Sequence, residues 1–129
     1  RDYTTISCGQ IDERLAVLAL KHRDKVMERN LALLRRNAAI VEEWVAEQPL
    51  VSYVTPRAGT TAFLHYDLPV PSRQVCLELV NAHSTLLAPG DCFEFENYLR
   101  LGFACDTSVL QTGLARVSTV LDDLQRKEG

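Results

Sequence analysis

The 129-residue sequence lacks several features that characterise whole classes of protein. No apolar run approaches the roughly 18 residues that a transmembrane helix needs. There is no block of basic residues, and the net charge of −3 argues against a nucleic-acid partner. The first residues are polar, without the apolar segment of a signal peptide, and the sequence does not begin with Met. We therefore expect a piece of a longer protein that has neither nucleic-acid nor membrane partners.

Cysteine and histidine are too scattered to indicate a metal site or a disulfide framework. The four cysteines include no Cys-x-x-Cys pair, and the three histidines do not lie at metal-ligand spacing beside them. Cys76, Cys92 and Cys105 occur in apolar contexts and are predicted to be small buried thiols. This use of cysteine favours a reducing cytoplasm over secretion.

The N-terminal third predicts a long helix. Ser7 is expected to cap this helix with Gln10 at the third helical position, and the pattern ends at the Gln-Pro pair at 48–49. One straight helix over residues 11–47 would be about 55 Å long, which is more than a domain of this size can cover. Either the helix bends near His22, or its first half is built to pack on a larger domain.

The rest of the chain alternates between strand and helix patterns. Two strands are predicted at 50–54 and 60–66, followed by a helix at 72–82 that Ser72 caps. A third strand is predicted at 85–88.

The last helix, from Asp106 or Thr107, has the most regular apolar stripe: Leu110, Leu114, Val117, Leu121 and Leu124. The order of the segments predicts an α+β fold in which a long N-terminal helix precedes a small, mostly antiparallel sheet with helices packed on one face.

Residues 97–105 alternate as a half-buried strand does. One face is apolar: Leu99, Leu101, Phe103 and Cys105. The other face carries one guanidinium among mostly small residues: Tyr98, Arg100, Gly102 and Ala104. A planar guanidinium with five donors, held on a strand, is suited to bidentate binding of a carboxylate. The alternative interpretation of Arg100 is an ordinary exposed side chain on the solvent side of a sheet.

The sequence LLAPGDCFE at 86–94, followed by NYLRLGFA at 97–104, resembles the C-terminal domain of class I/II aminotransferases, the fold type I pyridoxal-phosphate (PLP) enzymes. In that family a Pro-Gly turn precedes a strand whose Arg binds the α-carboxylate of the substrate. Arg100 matches that Arg, and residues 102–104 match those that follow it. The stretch DYTTIS at 2–7 resembles the capreomycidine-synthase-like branch.

The resemblance implies a domain organisation and a function for the full-length protein. Residues 1–20 would be a remnant of the edge of the large domain together with the start of the interdomain helix, and residues 21–129 would be the small domain. The protein would be a PLP-dependent aminotransferase that acts on an amino acid and a 2-oxo acid, as a cytoplasmic homodimer. The sequence leaves open whether the reaction is transamination, decarboxylation or cyclisation. Tyr3–Thr5 match a segment that can reach the partner subunit's active site in the family.

Several groups that PLP requires are missing from the sequence. The coenzyme needs a Lys to bond to it, an acid beside its pyridine nitrogen and donors for its phosphate. Lys21, Lys25 and Lys127 lie in charged helical patterns or in the tail and are interpreted as surface charges. We therefore expect PLP in the full-length protein and not in this chain, which alone would be inactive. No catalytic, cofactor-binding or metal-binding residue is predicted, and Arg100 is the candidate substrate-binding residue.

Other interpretations stay open at this point. His65 on a predicted strand could face a ligand, although ordinary strand contacts are favoured. An acidic cluster follows the Pro-Gly turn, where a solvated loop is favoured over a metal site: Asp91, Glu94 and Glu96. The chain could instead be the effector-sensing module of a transcription regulator, with Arg100 binding the effector. It could also be a non-catalytic interaction domain in which Arg100 is only a surface residue.

Overall fold

The computed structural model describes residues 8–128 of the chain. The predicted cap at Ser7 and the segment Tyr3–Thr5 lie outside the described residues. The chain divides into two compact units, residues 1–32 and residues 33–129. No helix in the described part combines the length and hydrophobicity that a membrane span requires.

The first unit contains α1 (Gln10–Lys21) and the beginning of α2 (Arg23–Glu47). The two helices are separated at His22, the position where the sequence analysis placed a possible bend. The prediction that Gln10 occupies the third helical position is wrong, because Gly9 is the N-cap residue and Gln10 begins α1. No residue of α1 is buried, and the side chain of Ile11 is 76% exposed.

The second unit contains a four-stranded antiparallel sheet with the strand order β1-β2-β4-β3. The strands are β1 (Val51–Tyr53), β2 (Thr61–Tyr66), β3 (Ala88–Pro89) and β4 (Tyr98–Gly102). The predicted third strand at 85–88 is therefore wrong in extent, because only two residues pair, and Pro89 is one of them. As an edge strand, β3 tolerates a residue without a backbone N–H.

The second unit also contains the part of α2 from Leu33 onward, together with helices α3 (Ser72–His83) and α4 (Thr107–Glu128). A 3₁₀ turn (Gly90–Phe93) joins β3 to the segment before β4. Pro71 and not Ser72 is the N-cap residue of α3, so the predicted cap is wrong by one position. The predicted α+β fold, with a small antiparallel sheet and helices on one face, is confirmed.

The core forms between the sheet and these helices, and the period-2 and helical patterns account for its composition. Tyr66 of β2 is fully buried, and the phenol Oη donates a hydrogen bond to the carbonyl oxygen of Val70 at 2.6 Å. The predicted stripe of α4 is confirmed, since all of its members are buried: Leu110, Leu114, Val117, Leu121 and Leu124.

The cysteine predictions hold in part. Cys76 on α3 is buried as predicted, and Cys105 is half-buried. Cys92 is exposed, so its prediction is wrong. The reason is local: Cys92 lies in the 3₁₀ turn, where no regular face of a helix or strand directs the side chain inward.

Candidate functional site

Strand β4 holds Arg100 on the face of the sheet opposite the core. Leu99 and Leu101 are buried against the core, whereas Arg100 and Gly102 are exposed. The alternation predicted from the sequence is therefore confirmed along the strand. We call this second side of the sheet the open face.

Arg100 lies between two different neighbours on adjacent strands. Arg100 is paired with Phe63 on β2, and on its other side it is paired with Ala88 on β3. The guanidinium carbon lies 5.7 Å from the centre of the Phe93 ring, within the range of a cation–π contact. A Cβ atom added at Gly102 would meet nothing within 4 Å, so the open face next to Arg100 has free space.

The guanidinium of Arg100 makes no hydrogen bond and no ion pair with any residue from 8 to 128. All five of its N–H donors are therefore available to a ligand. A carboxylate could accept two parallel hydrogen bonds from such a group.

A group of aromatic rings lies next to Arg100, on the open face and in the turn before β4, and the sequence of β4 alone did not reveal it. Phe63 stacks on Tyr98 with ring centres 4.7 Å apart. The rings of Phe93 and Phe95 approach Phe63 edge-on at 5.9 and 5.8 Å, and His65 lies 5.0 Å from Tyr98. We call these five residues the aromatic cluster. His65 is thus a half-buried member of this cluster, and no ligand is needed to explain its position.

A concavity of about 560 Å³ lies beside the aromatic cluster. It is lined by Phe63, His65, Phe95 and Tyr98 together with Ser52, Tyr53 and Val54. Period-2 alternation in β2 and β4 places these rings on one face, but their proximity depends on the strand order and register. Those two properties are not visible in local sequence.

The acidic residues before β4 hold the turn against helix α3. The Nε atom of Arg73 donates to Oδ2 of Asp91 at 2.8 Å. The backbone N–H of Ser72 donates to Oε1 of Glu96 at 2.5 Å, and this hydrogen bond lowers the pKa of the Glu96 carboxyl. The carboxylate of Glu96 thereby satisfies a free N–H at the beginning of a helix.

These contacts favour a structural role for the acidic residues over a metal site. Within residues 8–128, no group of three or more His, Cys, Asp or Glu side chains is arranged to hold a metal ion. Glu94 is exposed and has a positive φ of 63°, as expected for a residue that ends the 3₁₀ turn.

The residues of this chain do not fit PLP by themselves. Lys21, Lys25 and Lys127 lie on α1, α2 and α4, and all three side chains are exposed. None of the three lysines lines the concavity beside the aromatic cluster. A coenzyme bonded to Lys would therefore need a residue outside this chain.

Comparisons with known proteins show which enzymes the chain is similar to. No family model matches the chain. Capreomycidine synthase from Streptomyces vinaceus is 34% identical over 122 residues, which are 94% of this chain and 31% of that protein.

Two solved structures resemble the fold closely. A PLP-dependent aminotransferase from Streptococcus suis 89-1591 matches 96% of this chain with a TM-score of 0.92 and 42% identity, over 33% of its own length. The PLP-dependent cyclase OrfR matches 95% of the chain with a TM-score of 0.85 and 30% identity, over 34% of its length. The chain spans about a third of each of these relatives. It is homologous to part of these PLP-dependent enzymes, and its fold is that of the aminotransferase small domain.

Proposed function

We propose that this chain is the small domain of a PLP-dependent enzyme that acts on an amino acid, with Arg100 binding the α-carboxylate of the substrate. The full-length protein would be an aminotransferase that exchanges an amino group with a 2-oxo acid, in the cytoplasm and as a homodimer. PLP, bound by residues outside this chain, would supply the electron sink for the reaction. The isolated chain would be inactive.

The observation that carries this proposal is the free guanidinium of Arg100 on a rigid strand. An ordinary surface Arg would be unremarkable on a solvated face, but here the surroundings are aromatic. The Phe93 ring lies 5.7 Å from the guanidinium carbon and gives the group an aromatic neighbour, while its N–H donors stay available to a carboxylate. The strand fixes the position of the Arg100 backbone, so the entropy lost on binding is confined to the side chain.

The apolar residues of α1 support the proposed division of the chain. Ile11, Leu15 and Leu18 are 76%, 59% and 53% exposed, although they repeat with helical spacing. An exposed apolar stripe of this kind marks an interaction surface. We propose that residues 1–20 belong to the edge of a large domain and the start of the interdomain helix, and residues 21–129 to the small domain.

Substitution of Arg100 in the full-length holoenzyme tests the role of this residue. Arg100→Ala removes a bidentate pair and should weaken productive binding by on the order of 2–4 kcal/mol. This range corresponds to a decrease in kcat/KM of roughly 30- to 1000-fold. Arg100→Lys keeps the charge but loses the planar fork, so it should recover only part of the activity.

Arg126→Ala is the matched control. Arg126 is exposed on α4 and pairs with Asp123 at 2.9 Å, away from the open face. This variant should leave kcat/KM unchanged. If Arg100→Ala behaves in the same way, then Arg100 is only a surface residue and the proposal is wrong.

A further inference from the structure

Asn37 is a fully buried amide on α2, next to the end of strand β4. Its Nδ2 group donates two hydrogen bonds of 2.8 Å, one to the carbonyl oxygen of Phe103 and one to that of Cys105. Its Oδ1 atom accepts a hydrogen bond of 2.9 Å from Oγ1 of Thr107. Both amide hydrogens and the carbonyl oxygen therefore have partners.

The three partners of Asn37 define how the chain leaves the sheet. Phe103 directly follows β4, and its N–H continues the ladder by donating to the carbonyl oxygen of Thr60 at 2.9 Å. Thr107 is the first residue of α4. Asn37 thus fixes both ends of the short connection between β4 and α4. Without the amide, the carbonyl oxygens of Phe103 and Cys105 would lose a donor, one in a buried and one in a partly buried position, which is costly.

The other end of β4 is also held by an asparagine. The Nδ2 group of Asn97 donates to the carbonyl oxygen of Leu68 at 2.6 Å, and the N–H of Tyr66 donates to the carbonyl oxygen of Asn97 at 2.9 Å. Arg100 lies between the two fixed ends, three residues or about 10 Å before Phe103. A shift of β4 by a full residue would turn Arg100 into the core.

We propose that Asn37 is a positioning residue for Arg100. By holding the end of β4 in place, Asn37 fixes where the guanidinium of Arg100 lies on the open face. This inference rests on the proposed function of Arg100 in carboxylate binding. Because a misplacement of about 1 Å can reduce a rate by roughly 100-fold, a small movement of the strand would weaken carboxylate binding without unfolding the domain.

Variants of the full-length holoenzyme test this role. The probes are the proteinogenic L-amino acid that the enzyme turns over fastest, and the corresponding amine without a carboxylate as a competitive inhibitor. Asn37→Leu removes all three hydrogen bonds, and Thr107→Val removes one of them with little change in volume. We expect the KM for the amino acid to rise at least 10-fold in Asn37→Leu and less in Thr107→Val. The Ki of the amine should stay constant in both.

Trp44→Phe is the matched control for a purely structural effect. The Nε1 atom of Trp44 donates to Oγ of Ser118 at 2.9 Å, so this hydrogen bond also joins α2 to α4 but does not involve β4. The control should lower Tm without changing the ratio of KM to Ki. If the Asn37 and Thr107 variants behave like the control, or if KM and Ki rise together, Asn37 does not position Arg100.

Arg100→Ala distinguishes the two proposals. If this variant raises the ratio of KM to Ki while the Asn37 and Thr107 variants do not, only the inference about Asn37 is wrong. If Arg100→Ala leaves the ratio unchanged, the proposed function and the inference that depends on it both fail. Should Asn37→Leu not fold, an unchanged KM in Thr107→Val overturns the positioning role, and an increase with constant Ki supports it.

Discussion

Phe63 lies directly opposite Arg100 in the antiparallel pairing of β2 with β4, and both residues are on the open face. The ring of Phe63 is the centre of the aromatic cluster, because it contacts Phe93, Phe95 and Tyr98. On its other side Arg100 is next to the small Ala88. Arg100 therefore has a large aromatic neighbour on β2 and a small one on β3.

Gly90 should tolerate no side chain. A Cβ atom there would lie 2.7 Å from the carbonyl oxygen of Tyr98 and would clash still more strongly with that of Phe95. Both obstacles are backbone atoms, so the turn before β4 must distort. Overpacking of this kind costs about 1–3 kcal/mol or more. We expect Gly90→Ala to lower the Tm of the full-length protein by several degrees.

Gly102→Ala is the control for this prediction, because the added Cβ atom meets nothing within 4 Å. Its effect on the free energy of unfolding should stay within about 0.5 kcal/mol. Equal Tm values for the two variants would contradict the close packing at Gly90.

Tyr66 should make stability depend on alkaline pH. Burial raises the pKa of its phenol well above the usual value, and the Glu96 carboxylate adds to this effect. The unfolded chain then loses the phenolic proton near pH 10 while the folded chain keeps it, so stability falls as pH rises above about 10.

The comparison of Tyr66→Phe with the unmodified protein isolates this contribution. At pH 8 the variant should be less stable by about 1–3 kcal/mol, since the carbonyl oxygen of Val70 loses its donor. The difference in Tm should shrink between pH 9 and pH 11, a range of about one unit on either side of the unfolded pKa. Tyr53→Phe is the control. If the difference in Tm between Tyr66→Phe and the unmodified protein stays constant with pH, the prediction is contradicted.

Cys76 should resist alkylation in the native protein. Burial and the nearby Asp91 carboxylate raise the pKa of its thiol to about 11. Only the thiolate reacts, so both access and ionisation protect the residue at pH 8. Iodoacetamide labelling followed by peptide mass spectrometry should modify Cys76 only in urea. The exposed Cys92 provides the internal comparison, and equal native labelling of the two would disprove the prediction.

Local periodicity was sufficient to predict the elements that carry the core and the side on which Arg100 lies. The alternation in β4 and the stripe in α4 are direct consequences of strand and helix geometry. Asn37 could not be found in this way. It lies in a helix directly after two arginines, and its burial depends on Phe103 and Thr107, more than 60 residues later. The aromatic cluster was missed for a related reason, because its rings meet only through the register between β2 and β4.

Pro89 has a consequence for self-association of the sheet. An edge strand normally offers a row of free backbone donors and acceptors to which a strand from another molecule can add. Strand β3 has only two residues, and one of them lacks an N–H, so its outer side offers at most one donor. The short, proline-containing border therefore discourages fibril-like stacking at this edge and keeps the neighbouring β4 from becoming a template for aggregation.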